Sequence, residues 1–338
     1  MPTLKDVARE ADVSVSTVSR ALNDSEKVHP DTKEHVKKVA EELGYMPSRV
    51  ARRLRLQKGK ASLLGLVIPD IRNPFFADVT RGVEDVAQAH DYALLISNSD
   101  EDAEKQRLAL EILQTEDVDG VIVPPVGTHD PAIKTLIDSG IAVVCVDRRL
   151  QNARVDTILS DNRKGAYEAV SHLIELGHER IGFIGGVPHI STLTERREGY
   201  EQALRDHGLP VDPALIREGD VRREQGRVFT EQLLALDRPP TALFTGNNLT
   251  TLGALAALNE RGVAVPDEMA LVGYDDVPWP MALNPPPTVV DQPGYEMGRR
   301  AAEILLERLQ SPDRSPTTVT LQPKLIVRRS CGAERPAG

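Results

Sequence analysis

Short, unbroken apolar runs recur along this chain, and one kind of fold explains them. The first holds Leu63, Leu64, Leu66, Val67 and Ile68 with a single Gly65 between them. Similar runs occupy 92–96, 120–123, 142–146, 181–184, 242–244 and 270–272. A segment apolar on both faces must be covered on both faces, and a strand of a parallel sheet is covered in that way. Between the runs lie segments of helical periodicity at 75–89, 103–115, 131–138, 162–176, 192–206, 223–235 and 249–261, with a last one at 295–310. The alternation predicts an α/β fold with parallel sheets. The number of strands suits two doubly wound lobes better than one sheet.

Open α/β sheets bind ligands beyond the carboxyl ends of their strands. Asn73, Phe75 and Phe76 follow the first run, and Asp147 and Arg148 follow 142–146. Arg196 lies early in the helical segment after 181–186, Asn247 follows 242–246, Asp275 follows 271–274, and Gln292 precedes Pro293. Amides, carboxylates and guanidinium groups exchange hydrogen bonds with vicinal hydroxyls, and phenyl faces cover the C–H side of a sugar. Taken singly, each has an ordinary structural role: strand-end Asp and Asn cap helices, and Phe75 or Phe76 fills a core. Taken together, the nine point to a sugar-binding cleft.

Enzyme signatures are missing. There is no GxxxxGK phosphate loop, and 182–186 does not fit GxGxxG. The histidines and cysteines show neither HExxH nor CxxC spacing. Asp275 and Asp276 form an acid pair without a nucleophile motif. The expectation is a protein that is not an enzyme and has no cofactor and no metal. Cys145, inside the run 142–146, reads as a buried strand residue. Two cysteines are too few for a disulfide framework and fit a cytoplasmic protein. No apolar run is long enough to span a bilayer, and the first ten residues show no secretory pattern.

The N-terminal region has a different character. The chain carries a net charge of −10, yet residues 1–60 hold 13 basic and 9 acidic residues, leaving 28 and 42 for the rest. A basic head on an acidic body suggests a local polyanion-binding module. Thr3 is placed to cap a helix, with Asp6 at the capping-box position and Leu4, Val7, Ala8 and Ala11 on one face. A second helix is expected after Ser14, with Val18, Ala21 and Leu22 inward and Val15, Ser16, Ser19 and Arg20 outward. A third begins at Pro30 and ends near Gly44. Two short helices joined by a tight turn make a helix-turn-helix, whose second helix enters the major groove. Short side chains there admit the backbone, and Arg20 can reach a guanine edge. On the helix pattern alone a three-helix protein-binding domain stays open.

The motifs decide further. Thr3 to Ala8, then Val13-Ser14, then Thr17-Val18-Ser19-Arg20, then Glu42-Leu43-Gly44-Tyr45 with Pro47, resemble the LacI/GalR family of bacterial transcription regulators. The body resembles periplasmic ribose-binding proteins, and all nine strand-end residues fall on matching pocket positions. Val221 stands where such pockets often carry an aromatic, with Trp279 a candidate replacement, and Asn248 stands where an Asp is common. The resemblance implies that Val15, Ser16 and Arg20 read bases. It also implies that residues 48–56, including Ala51, Leu54 and Arg55, form a hinge helix in the minor groove with Leu54 as a wedge. Four arginines and no acid in 47–56 fit that place.

The expected organisation is a DNA-binding head at 1–46, a hinge at 47–60, a body at 61–331 and a disordered tail at 332–338. In the body, 61–160 with 292–320 form one lobe, and 161–291 with 321–331 the other; this lobe-crossing is implied by the resemblance. The expected function is transcriptional regulation as a homodimer on a pseudo-palindromic DNA operator. A small sugar, a ribose-like pentose first, controls it, and no membrane is involved. A solute-binding receptor for transport would suit the body but not the basic head. A sugar-converting enzyme would need the missing motifs.

Overall fold

The computed structural model describes residues 2–22, 25, 27–45, 62–187 and 190–333. The chain divides into two compact units, 1–61 and 62–338. The hinge expected at 47–60 lies outside the described residues.

In the first unit, α1 (Leu4–Glu10) starts from a capping box. The Thr3 hydroxyl accepts from the Asp6 amide, and the Asp6 carboxylate accepts from the Thr3 amide at 2.8 Å. The Ser14 hydroxyl accepts from the Thr17 amide at 3.0 Å and opens α2 (Val15–Leu22). Pro30 begins α3 (Pro30–Glu42), and Gly44, at φ 64°, takes the left-handed turn that closes it. Val7, Ala11, Val18, Ala21, Val36 and Val39 meet in one core. Three amphipathic helices of this length bury too little apolar surface singly, so each is held by its contact with the other two.

The second unit repeats one topology twice. The first sheet contains β1 (Leu63–Ile68), β2 (Ala93–Asn98), β3 (Gly120–Val123), β4 (Ala142–Val146), β5 (Asp156–Ser160) and β11 (Thr318–Leu321). Its order is β2-β1-β3-β4-β5-β11, all parallel. The second contains β6 (Ile181–Gly186), β7 (Ile216–Gly219), β8 (Ala242–Thr245), β9 (Ala270–Tyr274), β10 (Thr288–Asp291) and β12 (Lys324–Ile326). Its order is β7-β6-β8-β9-β10-β12, with only β12 antiparallel. The first lobe carries α4 (Pro74–Ala89), α5 (Ala103–Thr115) and α6 (Pro131–Asp138). The second carries α7 (Asn162–Glu175), α8 (Ser191–Asp206), α9 (Arg223–Leu234) and α10 (Asn248–Glu260).

The chain then returns. α11 (Gly294–Gln310) packs along α4 in the first lobe. The two helices approach closely because each puts a glycine against the other's backbone. A methyl group on Gly82 would strike the Tyr295 carbonyl, and one on Gly298 would strike the Val79 carbonyl. Met297, Ala301 and Leu305 of α11 complete a core with Leu64, Leu66, Val79 and Val83. The second lobe is centred on Phe183, whose ring stacks on Tyr200 at 5.1 Å and Phe244 at 5.7 Å.

Five strands escape the apolar-run criterion. β5 is buried throughout but begins at Asp156, whose carboxylate accepts from Arg308 at 2.8 and 2.9 Å and from the Thr317 amide at 2.8 Å. β7, β11 and β12 are edge strands and only partly buried, so their sequences need not be apolar. β10 is a four-residue strand set close behind three prolines, which interrupts its pattern. Of the tail expected at 332–338, Ala333 instead packs against the second-lobe core. Residues 334–338 lie outside the described residues.

Candidate functional site

Both lobes border a cavity of about 500 Å³, and all nine of the expected effector residues line it. Its floor follows from the repeated topology. Asp147 follows β4 and donates its amide to the Ile158 carbonyl of β5 at 2.8 Å. Asp275 follows β9 and donates its amide to the Val290 carbonyl of β10 at 2.8 Å. Both take left-handed backbone, at φ 69° and 65°, which aspartate tolerates better than most residues. Each lobe therefore carries one buried carboxylate past the end of equivalent strands.

Both buried guanidinium groups on this floor already face protein oxygens, although Arg148 Nε makes no hydrogen bond. Arg148 forms a two-pronged pair with Glu101, Nη1 to Oε2 and Nη2 to Oε1, both 2.6 Å, and its Nε lies 3.3 Å from Asp147 Oδ2. Arg196 donates from Nε to Asn162 Oδ1 at 2.8 Å and from Nη1 to the Gly246 carbonyl at 2.5 Å. The Arg196 guanidinium carbon sits 3.8 Å above the Tyr274 ring, and Nη1 is 3.8 Å from Asp275 Oδ2. Gln292 Nε2 donates to Asp275 Oδ1 at 2.6 Å. Asn247 caps α10 through Oδ1 and donates from Nδ2 to the Val221 carbonyl at 3.0 Å. Asn73 caps α4.

Two acceptors on the floor have no partner. Asp147 Oδ1 and Gln292 Oε1 are buried and make no hydrogen bond, in residues that are 4% and 5% exposed. A buried polar atom without a partner costs about 1–3 kcal/mol, so these atoms call for a ligand that donates. Burial pushes the Asp147 carboxyl up to about 6, against the opposing pull of Arg148 and Arg196. Burial also raises Asp275, opposed by Arg196 and by the hydrogen bond from Gln292.

The phenyl rings serve two purposes. Phe75 and Phe76 meet edge-on at 4.9 Å, belong to the first-lobe core, and also line the cavity. Ile190, Leu193, Val221 and Leu249 add an aliphatic wall. Val221 lines the cavity, so the aromatic wall usual at that position is absent. Trp279 does not replace it: it is 55% exposed, caps a short turn at Pro280–Ala282, and is not among the lining residues.

Glu101 was missed, although Asp100 and Glu101 follow β2 as the strand-end rule requires. Charged residues at the mouth were missed too, among them Asp70, Arg72, Asp220 and Arg222. They pair as Arg72–Asp70 at 2.7 Å and Arg222–Asp220 at 3.0 Å, which a sequence cannot distinguish from an ordinary solvated surface.

In the first unit, Val15, Ser16 and Arg20 are exposed on α2, and Ser19 is partly buried beside them. Ser16 Oγ and Ser14 Oγ lie 2.8 Å apart. Ala51, Leu54 and Arg55 lie outside the described residues.

Comparison with known proteins agrees with both units. A family model for bacterial regulatory proteins, lacI family, matches residues 3–48, and one for a periplasmic binding protein-like domain matches 170–331. The chain is 34% identical to the HTH-type transcriptional repressor CytR of Escherichia coli (strain K12) over 333 residues, 98% of this chain and 96% of that one. It superposes on the lac repressor dimer bound to operator and the anti-inducer ONPF with a TM-score of 0.86, at 26% identity, over 98% of this chain and 99% of that one. A complex of the transcriptional regulator CelR with cellobiose gives a TM-score of 0.73 at 32% identity, over 98% and 100% of the two chains.

Proposed function

The chain belongs to the lacI family of bacterial regulatory proteins and is a DNA-binding transcriptional repressor, and we propose that a small neutral sugar in the inter-lobe cavity sets its affinity for operator DNA. The relatives are transcriptional regulators, not enzymes.

The unpartnered acceptors on a floor of matched arginines carry this proposal. Arg148 pairs with Glu101 and Arg196 donates to Asn162 and Gly246, so a phosphate or carboxylate would have to compete with these protein oxygens. Asp147 Oδ1 and Gln292 Oε1 ask for donors, which the hydroxyls of a polyol supply. Asn73, Phe75, Phe76, Asp147, Arg148, Arg196, Asn247, Asp275 and Gln292 are the proposed contacts. A ribose-like pentose is the first candidate. The cavity's volume, about 500 Å³, also falls within the ~300–1,000 Å³ usual for small-molecule sites, and a disaccharide is the second candidate.

The full-length chain is titrated calorimetrically with ribose, other pentoses, hexoses, cellobiose and sugar phosphates. One neutral sugar is expected to saturate, and its phosphate to bind far more weakly. Preference for the phosphate, or no neutral ligand at all, would overturn the sugar assignment.

We place DNA recognition on Val15, Ser16, Ser19 and Arg20 in the major groove, with Ala51, Leu54 and Arg55 of the hinge in the minor groove. A leucine wedge offsets the cost of unstacking by bending the duplex against more protein, so Leu54→Ala should reduce bending and affinity together. One helix-turn-helix reads a half-site, which favours a homodimer on a pseudo-palindrome. Exposed Leu95 and Ile96 on β2 and Leu108 and Ile112 on α5 offer apolar surface for that dimer. The proposed division is head 1–46, hinge 47–60 and body 61–331, acting in the cytoplasm. Release of DNA by the sugar is the expected sign, with corepression the alternative. Either way the coupling is reciprocal and typically about 1–3 kcal/mol.

A further inference from the structure

Asn73 and Asn248 stand on different lobes and meet across the cleft. Asn248 Nδ2 donates to Asn73 Oδ1 at 2.9 Å. The polarity of this bond is not free. Asn73 is the N-cap of α4, and its Oδ1 also accepts from the Phe75 amide at 3.1 Å. The helix end thereby fixes the orientation of the Asn73 amide. Its oxygen must face the helix and the opposite lobe, so only a donor can meet it there. Asn248, 1% exposed at the first position of α10, supplies that donor. An aspartate at 248, the residue common at this place in the pockets this one resembles, would set a carboxylate oxygen against Oδ1 with no proton between them.

The remaining end of the Asn73 amide, Nδ2, is the donor left for a ligand, and Asn73 borders the cavity. Asn247, next in sequence to Asn248, is itself a cavity residue tied to the Val221 loop. One amide thus has its oxygen held by the second lobe and its nitrogen available to the effector. We propose that Asn248 is a positioning residue that latches the two lobes through Asn73, so that closure and effector binding reinforce each other. The coupling to effector rests on the sugar-binding reading above, whereas the latch itself does not.

The test uses the full chain. Spin labels go on exposed positions of each lobe, Glu104→Cys in α5 and Glu260→Cys in α10; the native Cys145 and Cys331 are both buried. Labelled chains are diluted into unlabelled protein, and the inter-lobe distance is read by double electron–electron resonance. Asn248→Asp changes hydrogen-bonding polarity at nearly constant shape, and an acid in the first turn of a helix is favourable, so the variant should fold. Without any sugar, Asn248→Asp is expected to shift the distribution to longer distances. Asn248→Ala, which removes the donor without adding a charge, is expected to fall between it and the parent. The unfolding midpoint should barely move, as a merely structural role would not allow. D-ribose and cellobiose, titrated calorimetrically, should bind Asn248→Asp about tenfold more weakly than the parent wherever the parent binds them. An unchanged distance distribution in Asn248→Asp overturns the latch, whether or not either sugar binds. A parent that binds neither sugar while the distances still shift leaves the latch standing and counts against the sugar assignment alone.

Discussion

Asp147→Asn should make the protein more stable and less responsive at the same time. The carboxyl is buried and held at about 6 instead of its ordinary 3.8. At pH 7 it is ionised in both folded and unfolded chains, and holding that charge in the folded state costs about 3 kcal/mol, at 1.36 kcal/mol per decade. Asparagine has nearly the same shape, tolerates the φ of 69°, and carries no charge. Against the gain stands the lost contact with Arg148 Nε at 3.3 Å, although Arg148 keeps both bonds to Glu101. The net expectation is a stabilisation of about 1–3 kcal/mol at pH 7.

The sign of the pH dependence follows from a raised acid. Its penalty is full above pH 6, shrinks as the folded form takes up its proton, and is gone below 3.8. The gap between variant and parent should therefore close as pH falls from 7 to about 4. Effector binding should run the other way. The parent loses affinity as pH falls through 6, because a protonated Asp147 is a poorer acceptor. The variant loses about 1.5–3 kcal/mol of a charged hydrogen bond at pH 7. Urea unfolding followed by circular dichroism at pH 4.5, 6 and 7.5, with calorimetry at the same pH values, checks both. A variant no more stable than the parent at pH 7.5, or a gap at pH 4.5 as large as that at pH 7.5, would refute the reasoning.

Three further outcomes are expected. Arg20→Ala should cost about 1–3 kcal/mol on the best operator and relax the preference at one base position, read by fluorescence anisotropy on single-base operator variants; equal weakening on all sequences would make it a phosphate contact. Asp156→Ala strands Arg308 and Arg314, which pair with the same buried carboxylate at 2.8 and 3.1 Å. Urea unfolding should show a loss of about 3–5 kcal/mol, and a loss below about 1 kcal/mol would mean the pair behaves as a surface ion pair. Gly253→Ala drives a methyl group into the Arg223 carbonyl where α9 and α10 touch, and unfolding should register about 1–3 kcal/mol of strain; an unaltered midpoint would show that the helices separate freely.

The predicted helices at 75–89, 103–115, 131–138 and 162–176 agree with the observed ones to within a residue at either end. Their boundaries are chemical and local. Asn73, Asp102, Asp130 and Asp161 each accept a backbone hydrogen bond that opens a helix. The nine cleft residues were legible for a related reason: in a parallel sheet the strand direction alone decides which end carries the loops. The sequence left Trp279 open, because an aromatic in a loop gives no sign of which way it faces. Glu101 was overlooked because a carboxylate in an acidic turn looks solvated until Arg148 is placed against it.

By itself, the sequence determined the element types, the strand ends that bear polar groups, and the helix-turn-helix pattern of the head. Each of these depends on neighbours within a few residues, through caps, periodicity and continuous apolar runs. Only the tertiary structure decided which charges cancel. Arg148 meets Glu101 across 47 positions, and Arg196 reaches Gly246 across 50. It also decided that Asp147 Oδ1 and Gln292 Oε1 remain without partners, and that Asn248 can lie against Asn73 across 175 positions. Hydrogen bonds are short and directional, so whether a buried group is matched or left wanting depends on which distant segments the folded lobes bring within about 3 Å of it.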